Sequence, residues 1–291
     1  LRKERLNISY VPVEKLNRLS KQNHQGAIAQ IAPITFYTLE NLVETVLESD
    51  KTPLFLLLDQ LSDVRNFGAI IRTAECTGVD GIIIENFGDA PFVKDNLSKR
   101  SLVSFTTVAS NLELDEKLDI GINVLRNDGI SALSIAEAID ANFVRINVLN
   151  NIMYTDQGII EGKSYDISQF RNTLSRDIQV FADVFVKHAT PPHGAKIGNH
   201  TKELLERAGA DVIIVSGDGT GEVTDIEDLN KIRDIVPKGK LAIGSGLNGE
   251  NIQDFSQIAD IGIIGTDFKV DGFLDNPVDA NRVKNIIGKI S

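Results

Sequence analysis

The sequence predicts an α/β chain whose main body, residues 53–291, is a (β/α)8 TIM barrel behind a short N-terminal helical extension, residues 1–52. Three observations carry this. From Pro53 onward, short apolar runs rich in β-branched residues alternate with amphipathic helical patterns. The runs are almost uninterruptedly apolar, as parallel strands covered on both faces are. Eight such strand–helix units fill roughly 240 residues, the rhythm of an eight-stranded barrel. A doubly wound open sheet is the alternative, because strand counting does not show closure.

The elements follow in order. Residues 2–13 are basic and strand-like, residues 16 and 19 put two leucines on one helical face, and Thr38 caps a helix over residues 39–47. Between these helices lies NHQGAIAQ, with His24 in a turn. The predicted barrel strands are residues 54–58, 80–84, 119–125, 143–149, 178–186, 211–215, 240–244 and 261–265. The second is bounded by Gly78 and Gly81 on one side and by Asn86, Gly88 and Pro91 on the other. Helices are predicted near 68–77, 98–111, 130–140, 166–175, 199–208, 225–235, 249–258 and 279–289. Residues 150–166 are long for a strand-to-helix connection and are expected to form a lid over the barrel mouth.

Composition narrows the function classes. A net charge of −11 and no dense Lys/Arg cluster argue against an RNA- or DNA-binding surface. The single cysteine, Cys76, allows no internal disulfide and no zinc cluster, and reads as a small buried apolar residue. No apolar run reaches the roughly 20 residues of a membrane span and no signal peptide opens the chain, so a cytoplasmic protein is expected. The only methionine is Met153, so the native start is expected upstream of Leu1.

Two family resemblances meet near residues 78–92, GVDGIIIENFGDAPF. Residues 59–79, DQLSDVRNFGAIIRTAECTGV, resemble the first motif of the SpoU (TrmH-type) RNA ribose 2′-O-methyltransferases, and residues 11–52 resemble the linker of that family. The resemblance, over about residues 1–85, implies active-site roles for Asn66 and Arg72 and a place for His24 near RNA. The later SpoU motifs that hold S-adenosylmethionine have no counterpart here, so no cofactor is expected. From residue 78 to 291 the chain is similar to the BtpA family, which includes the SgcQ-type proteins. The stretches that carry this are GINVLRND (121–128), TDQGIIEG (155–162), FADVFVKHA (181–189), IVSGDGTG (214–221), IGSGLNGENI (243–252) and GTDFKVDGF (265–273). That resemblance implies a TIM barrel, with a role in photosystem I biogenesis in phototrophs. Together the two imply a chimera, joined where both patterns share a helix-to-strand segment.

The candidate site residues sit at predicted strand ends, where α/β barrels bind ligands. Period 2 turns Asn123, Asn147 and Asp183 away from their apolar neighbours and into the barrel. With Glu85 and Lys187 they form an interior polar cluster suited to acid/base chemistry or to ligating a hard metal ion, no metal site being assigned. By the same periodicity Phe181 and Phe185 share the face of Asp183. His188, beside Lys187, is a candidate general base, and no zinc spacing links it to His193 and His200. Asn86 and Ser216 stand at strand ends. Gly244, Ser245, Gly246, Gly265 and Thr266 are placed to cradle phosphate with backbone N–H groups, helped by the positive end of a following helix. The expected catalytic set is Asp183, Lys187, His188 and Glu85, and the expected partner a phosphorylated small molecule, such as a nucleoside or sugar phosphate. An RNA 2′-O-methyltransferase and a non-enzymatic assembly factor are the rival readings. Reaction, substrate and homo-oligomerisation are open at the level of sequence.

Overall fold

The computed structural model describes the backbone of residues 54–58, and residues 78–112, 118–217, 225–273 and 276–290 with Glu14. Along the chain the strands are β1 (Leu54–Leu58), β2 (Gly81–Glu85), β3 (Asp119–Asn123), β4 (Phe143–Ile146), β5 (Ile152–Thr155), β6 (Gly158–Glu161), β7 (Gln179–Val184), β8 (Ala189–Thr190), β9 (Val212–Val215), β10 (Leu241–Ile243) and β11 (Ile261–Ile264). Eight of them pair in the closed order β1-β11-β10-β9-β7-β4-β3-β2, all parallel. The TIM barrel of the sequence reading is therefore present, closure included, and all eight predicted strands occur within a few residues of their expected bounds.

The helices between the strands are α1 (Lys99–Ser110), α2 (Gly129–Ala138), α3 (Ser164–Arg171), α4 (Ile197–Glu206), α5 (Ile226–Arg233), α6 (Ile252–Ser256) and α7 (Ala280–Ile287). Four begin at a side-chain cap: Ser98, Asp128, Asp225 and Asp279 accept from backbone N–H groups of the first turn. The expected helix over 68–77, Cys76 and the whole of 1–52 apart from Glu14 lie outside the described residues.

Period 2 divides the barrel. Ile122, Val124, Ile146, Ala182 and Val184 pack outward against the helices in the main core. Ile83, Phe143, Phe181, Val212, Ile214, Ala242, Ile261 and Ile263 pack among themselves inside. Phe143 and Phe181 stack there at 4.2 Å between ring centroids, a contact of about 0.5–1.5 kcal/mol beyond area burial. Gly121 makes room for them, since a Cβ at that position would stand 2.3 Å from the Phe143 ring. At the N-terminal end, the residue before a strand laces the preceding one: Asn142, Asp211 and Asp260 accept from the backbone N–H of Ile120, Val180 and Leu241.

Two expectations are corrected. Residues 150–166 are not an irregular loop. β5 and β6 form a hairpin with Asp156 and Gln157 at its tip, and β8 adds a third antiparallel strand. Its Met153 and Ile160 face Val148 and Val186 in a small core of their own, because the hairpin alternates apolar and exposed positions. Phe185 does not share the face of Asp183 either. β7 ends at Val184, Phe185 takes φ 52°, and its ring packs 5.1 Å from that of His200.

Asp119, at the start of β3, has its carboxyl pushed up to about 6 by burial and by the nearby Asp80. The folded state therefore holds this proton more tightly than the unfolded chain, so its contribution is complete at low pH and is lost as pH rises from about 4 to about 6. Asp119→Asn is expected to remove that loss and raise stability at neutral pH by on the order of 2 kcal/mol. Urea unfolding across this pH range checks it, and parallel profiles for the two proteins would contradict it.

Candidate active site at the barrel mouth

Above the apolar interior, toward the C-terminal ends of the strands, the inward positions become polar. Asn123 on β3, Arg145 on β4 and Asp183 on β7 are each at most 2% exposed, and Asn147 just beyond β4 is 3% exposed. Asp183 is the hub. Arg145 grips it with two parallel bonds, Nε to Oδ2 and Nη2 to Oδ1, both 2.8 Å. Asn147 Nδ2 donates to Oδ2 at 3.3 Å and Ser216 Oγ to Oδ1 at 3.0 Å. Burial opposes the charge on Arg145, and the field and hydrogen bonds of Asp183 outweigh it, so the guanidinium is held more firmly protonated than usual.

Glu85, at the end of β2, accepts from Asn123 Nδ2 at 2.8 Å. Burial raises its carboxyl above the ordinary glutamate range, against the lowering pull of Arg145 and Lys187. Lys187 shifts the other way: burial, then Arg145, lowers its ammonium, while Glu85 and Asp183 oppose. Arg126 is 5% exposed and donates from Nη2 to the Lys187 carbonyl at 2.8 Å. Among the described residues, Arg126, Arg145 and Lys187 thus share the mouth with the carboxylates of Glu85 and Asp183. Asp156, at the hairpin tip, is near enough to favour the charged form of Arg126, which places the tip beside the mouth.

The loops at this end are tied to one another. Asn86 accepts from Leu125 N at 2.7 Å, and Asn127 exchanges two 2.8 Å bonds with the Val148 backbone. Every residue of the run 125–128 is engaged, Asp128 by capping α2 and receiving Leu97 N. Asn86 therefore has a bridging task between the loops after β2 and β3.

The glycine-rich loops adjoin this cluster. At Gly244 a Cβ would stand 2.8 Å from Ser216 Oγ and 3.4 Å from Arg145 Nη2, so the chain passes directly over the ion pair. Ser245 is buried, and Gly246 takes φ +74° with its carbonyl accepting from Asn251. Gly265 and Thr266 lie at the end of the neighbouring strand β11, where a 3-10 turn, Thr266–Phe268, begins. The helix expected to support the first loop is α6, only five residues long and separated from Gly246 by the Asn248–Asn251 turn. Backbone N–H groups and side chains, rather than a helix end, are what this loop presents.

The histidines differ in exposure. His188 is exposed, with φ 56°, between β7 and β8, and His193 is exposed as well. His200 is buried on α4, 2.6 Å from Asn150 Oδ1, and burial lowers its pKa. Asn66 and Arg72, the SpoU-like pair, and His24 lie outside the described residues. Among the described residues no group of three His, Cys, Asp or Glu is placed to hold a metal ion, and no helix is long and apolar enough to cross a membrane. A second cleft, of about 260 Å³, opens near α3 and the start of β7, but its Arg171 and Arg176 are paired with Asp177, Asp211 and Asp140.

Arg145 and Arg126 are the site residues that the sequence reading missed. Arg145 precedes Asn147 by two positions, so the periodicity that turned Asn147 inward turns it inward too. Arg126 lies within the GINVLRND stretch.

Comparison with known proteins settles the lineage. The BtpA family pattern matches residues 64–291. The chain belongs to the BtpA family. The BtpA match begins at residue 64 rather than 78, so Asn66 and Arg72 fall inside it. A protein of Methanocaldococcus jannaschii is 40% identical over 230 residues, covering 79% of this chain and 87% of its own length. The photosystem I biogenesis protein BtpA of Synechocystis is 38% identical over 229 residues, 76% and 80% of the two chains. Among solved structures, tryptophan synthase of Mycobacterium tuberculosis superposes with TM-score 0.59 at 10% identity, over 86% of this chain and 96% of that one. For 3-hexulose-6-phosphate synthase of Salmonella typhimurium the values are 0.54, 17%, 82% and 98%. For N-(5′-phosphoribosyl)anthranilate isomerase of Pyrococcus furiosus they are 0.51, 11%, 82% and 98%. These likenesses show the shared barrel fold.

Gly244→Ala tests the geometry of the mouth. Its Cβ would press on Ile214 Cγ2 at 2.5 Å as well as on Ser216, and overpacking of this kind costs about 1–3 kcal/mol. Denaturant unfolding should show that loss, whereas an unchanged midpoint would mean that the loop does not approach the ion pair so closely.

Proposed function

We propose that this BtpA-family barrel binds a phosphorylated small molecule, a nucleoside or sugar phosphate, at its C-terminal mouth and acts on it by proton transfer. The observation that carries this reading is the approach of the Gly244 backbone to Ser216 and Arg145, too close for a side chain at 244 to fit, which sets a Gly-Ser-Gly loop against a buried cluster that holds Arg126, Arg145 and Lys187. The phosphate would lie against the backbone of Ser245, Gly246, Gly265 and Thr266. The remainder of the ligand would extend over the interior polar layer, within reach of Glu85 and Lys187. Burial raises the Glu85 carboxyl and lowers the Lys187 ammonium, which brings the two closer in proton affinity, as acid/base partners require. The names of two structural neighbours, 3-hexulose-6-phosphate synthase and phosphoribosylanthranilate isomerase, support the choice of phosphorylated ligand.

The name of the Synechocystis relative supports a second reading, in which the barrel serves photosystem I biogenesis, as an assembly factor or through the same chemistry. A comparable match in the archaeon Methanocaldococcus jannaschii favours a task shared beyond phototrophs. The methyltransferase reading rests on residues 59–79 alone and gains no support from these relatives; S-adenosylmethionine has no part in the proposal.

Inorganic phosphate should raise the melting temperature of the whole chain in a concentration-dependent way, because a ligand selective for the native state stabilises it. Gly246→Asp keeps an aspartate-tolerant backbone conformation but places a carboxylate in the anion cradle, and is expected to abolish the shift. A shift undiminished in this variant would put the phosphate elsewhere.

A further inference from the structure

Among the described residues, three polar atoms of the mouth have no hydrogen-bond partner although their residues are almost fully buried: Asn123 Oδ1, Arg145 Nη1 and Asn147 Oδ1. Each amide is oriented by its other end, Asn123 through Nδ2 to Glu85 and Asn147 through Nδ2 to Asp183, so both present oxygen acceptors. The register places Asn123 directly beside Arg145 on the neighbouring strand, and Asn147 follows Arg145 by two positions on the same inward face. The unsatisfied set is therefore a donor between two acceptors. Buried groups left in this way are unfavourable, and a suitable occupant would satisfy them.

We infer that Asn123, Asn147 and Arg145 read hydroxyl groups, so that the ligand of the proposed site is a polyhydroxylated sugar phosphate. The argument is one of complementarity. A hydroxyl accepts from Arg145 Nη1 and donates to an amide oxygen at the same time. A carboxylate or a fully ionised second phosphate has no proton to donate and would meet the two amide oxygens with like charge, whereas an N–H group of a base edge cannot accept from the guanidinium. The phosphate loops adjoin the same cluster through Gly244, so one molecule bearing both groups spans the site. This inference rests on the phosphate-binding reading and adds the specificity of the organic part.

Calorimetry on the whole chain with inorganic phosphate, ribose 5-phosphate, glucose 6-phosphate, fructose 6-phosphate and 2-deoxyribose 5-phosphate separates the two proposals. At least one of the three polyol phosphates is expected to bind ten-fold or more tightly than inorganic phosphate. If that ligand is ribose 5-phosphate, removing its 2-hydroxyl should lose much of the gain. In Asn123→Leu and Asn147→Leu, which keep side-chain volume, the advantage should fall while affinity for inorganic phosphate stays within two-fold. The asparagines would then be specificity residues rather than structural ones. Phosphate binding with no preference for any polyol phosphate, or a preference unchanged in both variants, means that these atoms hold only water and overturns the inference. Absence of phosphate binding overturns the underlying reading and the inference with it.

Discussion

The buried ion pair between Arg145 and Asp183 is the constraint on which the upper half of this barrel depends. Two opposite charges at most 2% exposed would each cost several kcal/mol if left alone. Their two parallel 2.8 Å bonds make the pair tolerable, and the remaining carboxylate lone pairs draw in Asn147 and Ser216. Three strands, β4, β7 and β9, thereby bring their polar ends to one place. The same pair sets the electrostatics of its neighbours, since Arg145 pulls on both Glu85 and Lys187. At Gly244 the chain passes close to Ser216 and Arg145, with no room for a Cβ.

Below that layer the interior is aromatic and aliphatic, and the boundary explains how the barrel supports a polar mouth. Phe143 and Phe181 stack in the centre, with Gly121 conceding the volume. The energy of folding comes from this layer and from the outer strand–helix core. The polar layer can then carry unsatisfied atoms, and a site held by laced loops and paired charges is preorganised for a ligand.

The barrel was legible because strands buried on both faces leave long apolar runs and the connecting helices keep an amphipathic period. The inward asparagines and Asp183 were legible for a related reason, a polar residue at period 2 within an apolar strand. Arg145 escaped although it obeys that rule, because an arginine in a strand is commonly read as a surface residue and its partner lies 38 positions away. The 150–166 connection escaped because its apolar residues, Met153 and Ile160, answer to Val148 and Val186 rather than to the main core. Phe185 departed from the strand period because the chain turns at a left-handed residue that periodicity does not register. The BtpA pattern begins at residue 64 rather than at 78, and no comparison supports a second family or a junction between two.

A double-mutant cycle on Arg145 and Asp183 tests the central claim most directly. Arg145→Met and Asp183→Leu each leave one buried charge without its partner, and each should lower unfolding free energy by about 3–5 kcal/mol. The double variant removes both charges and is expected to lose much less than the sum, with a coupling of on the order of 2 kcal/mol or more. Costs that add to within about 0.5 kcal/mol would show the two residues to be independent, and would contradict an account in which their pairing organises the mouth.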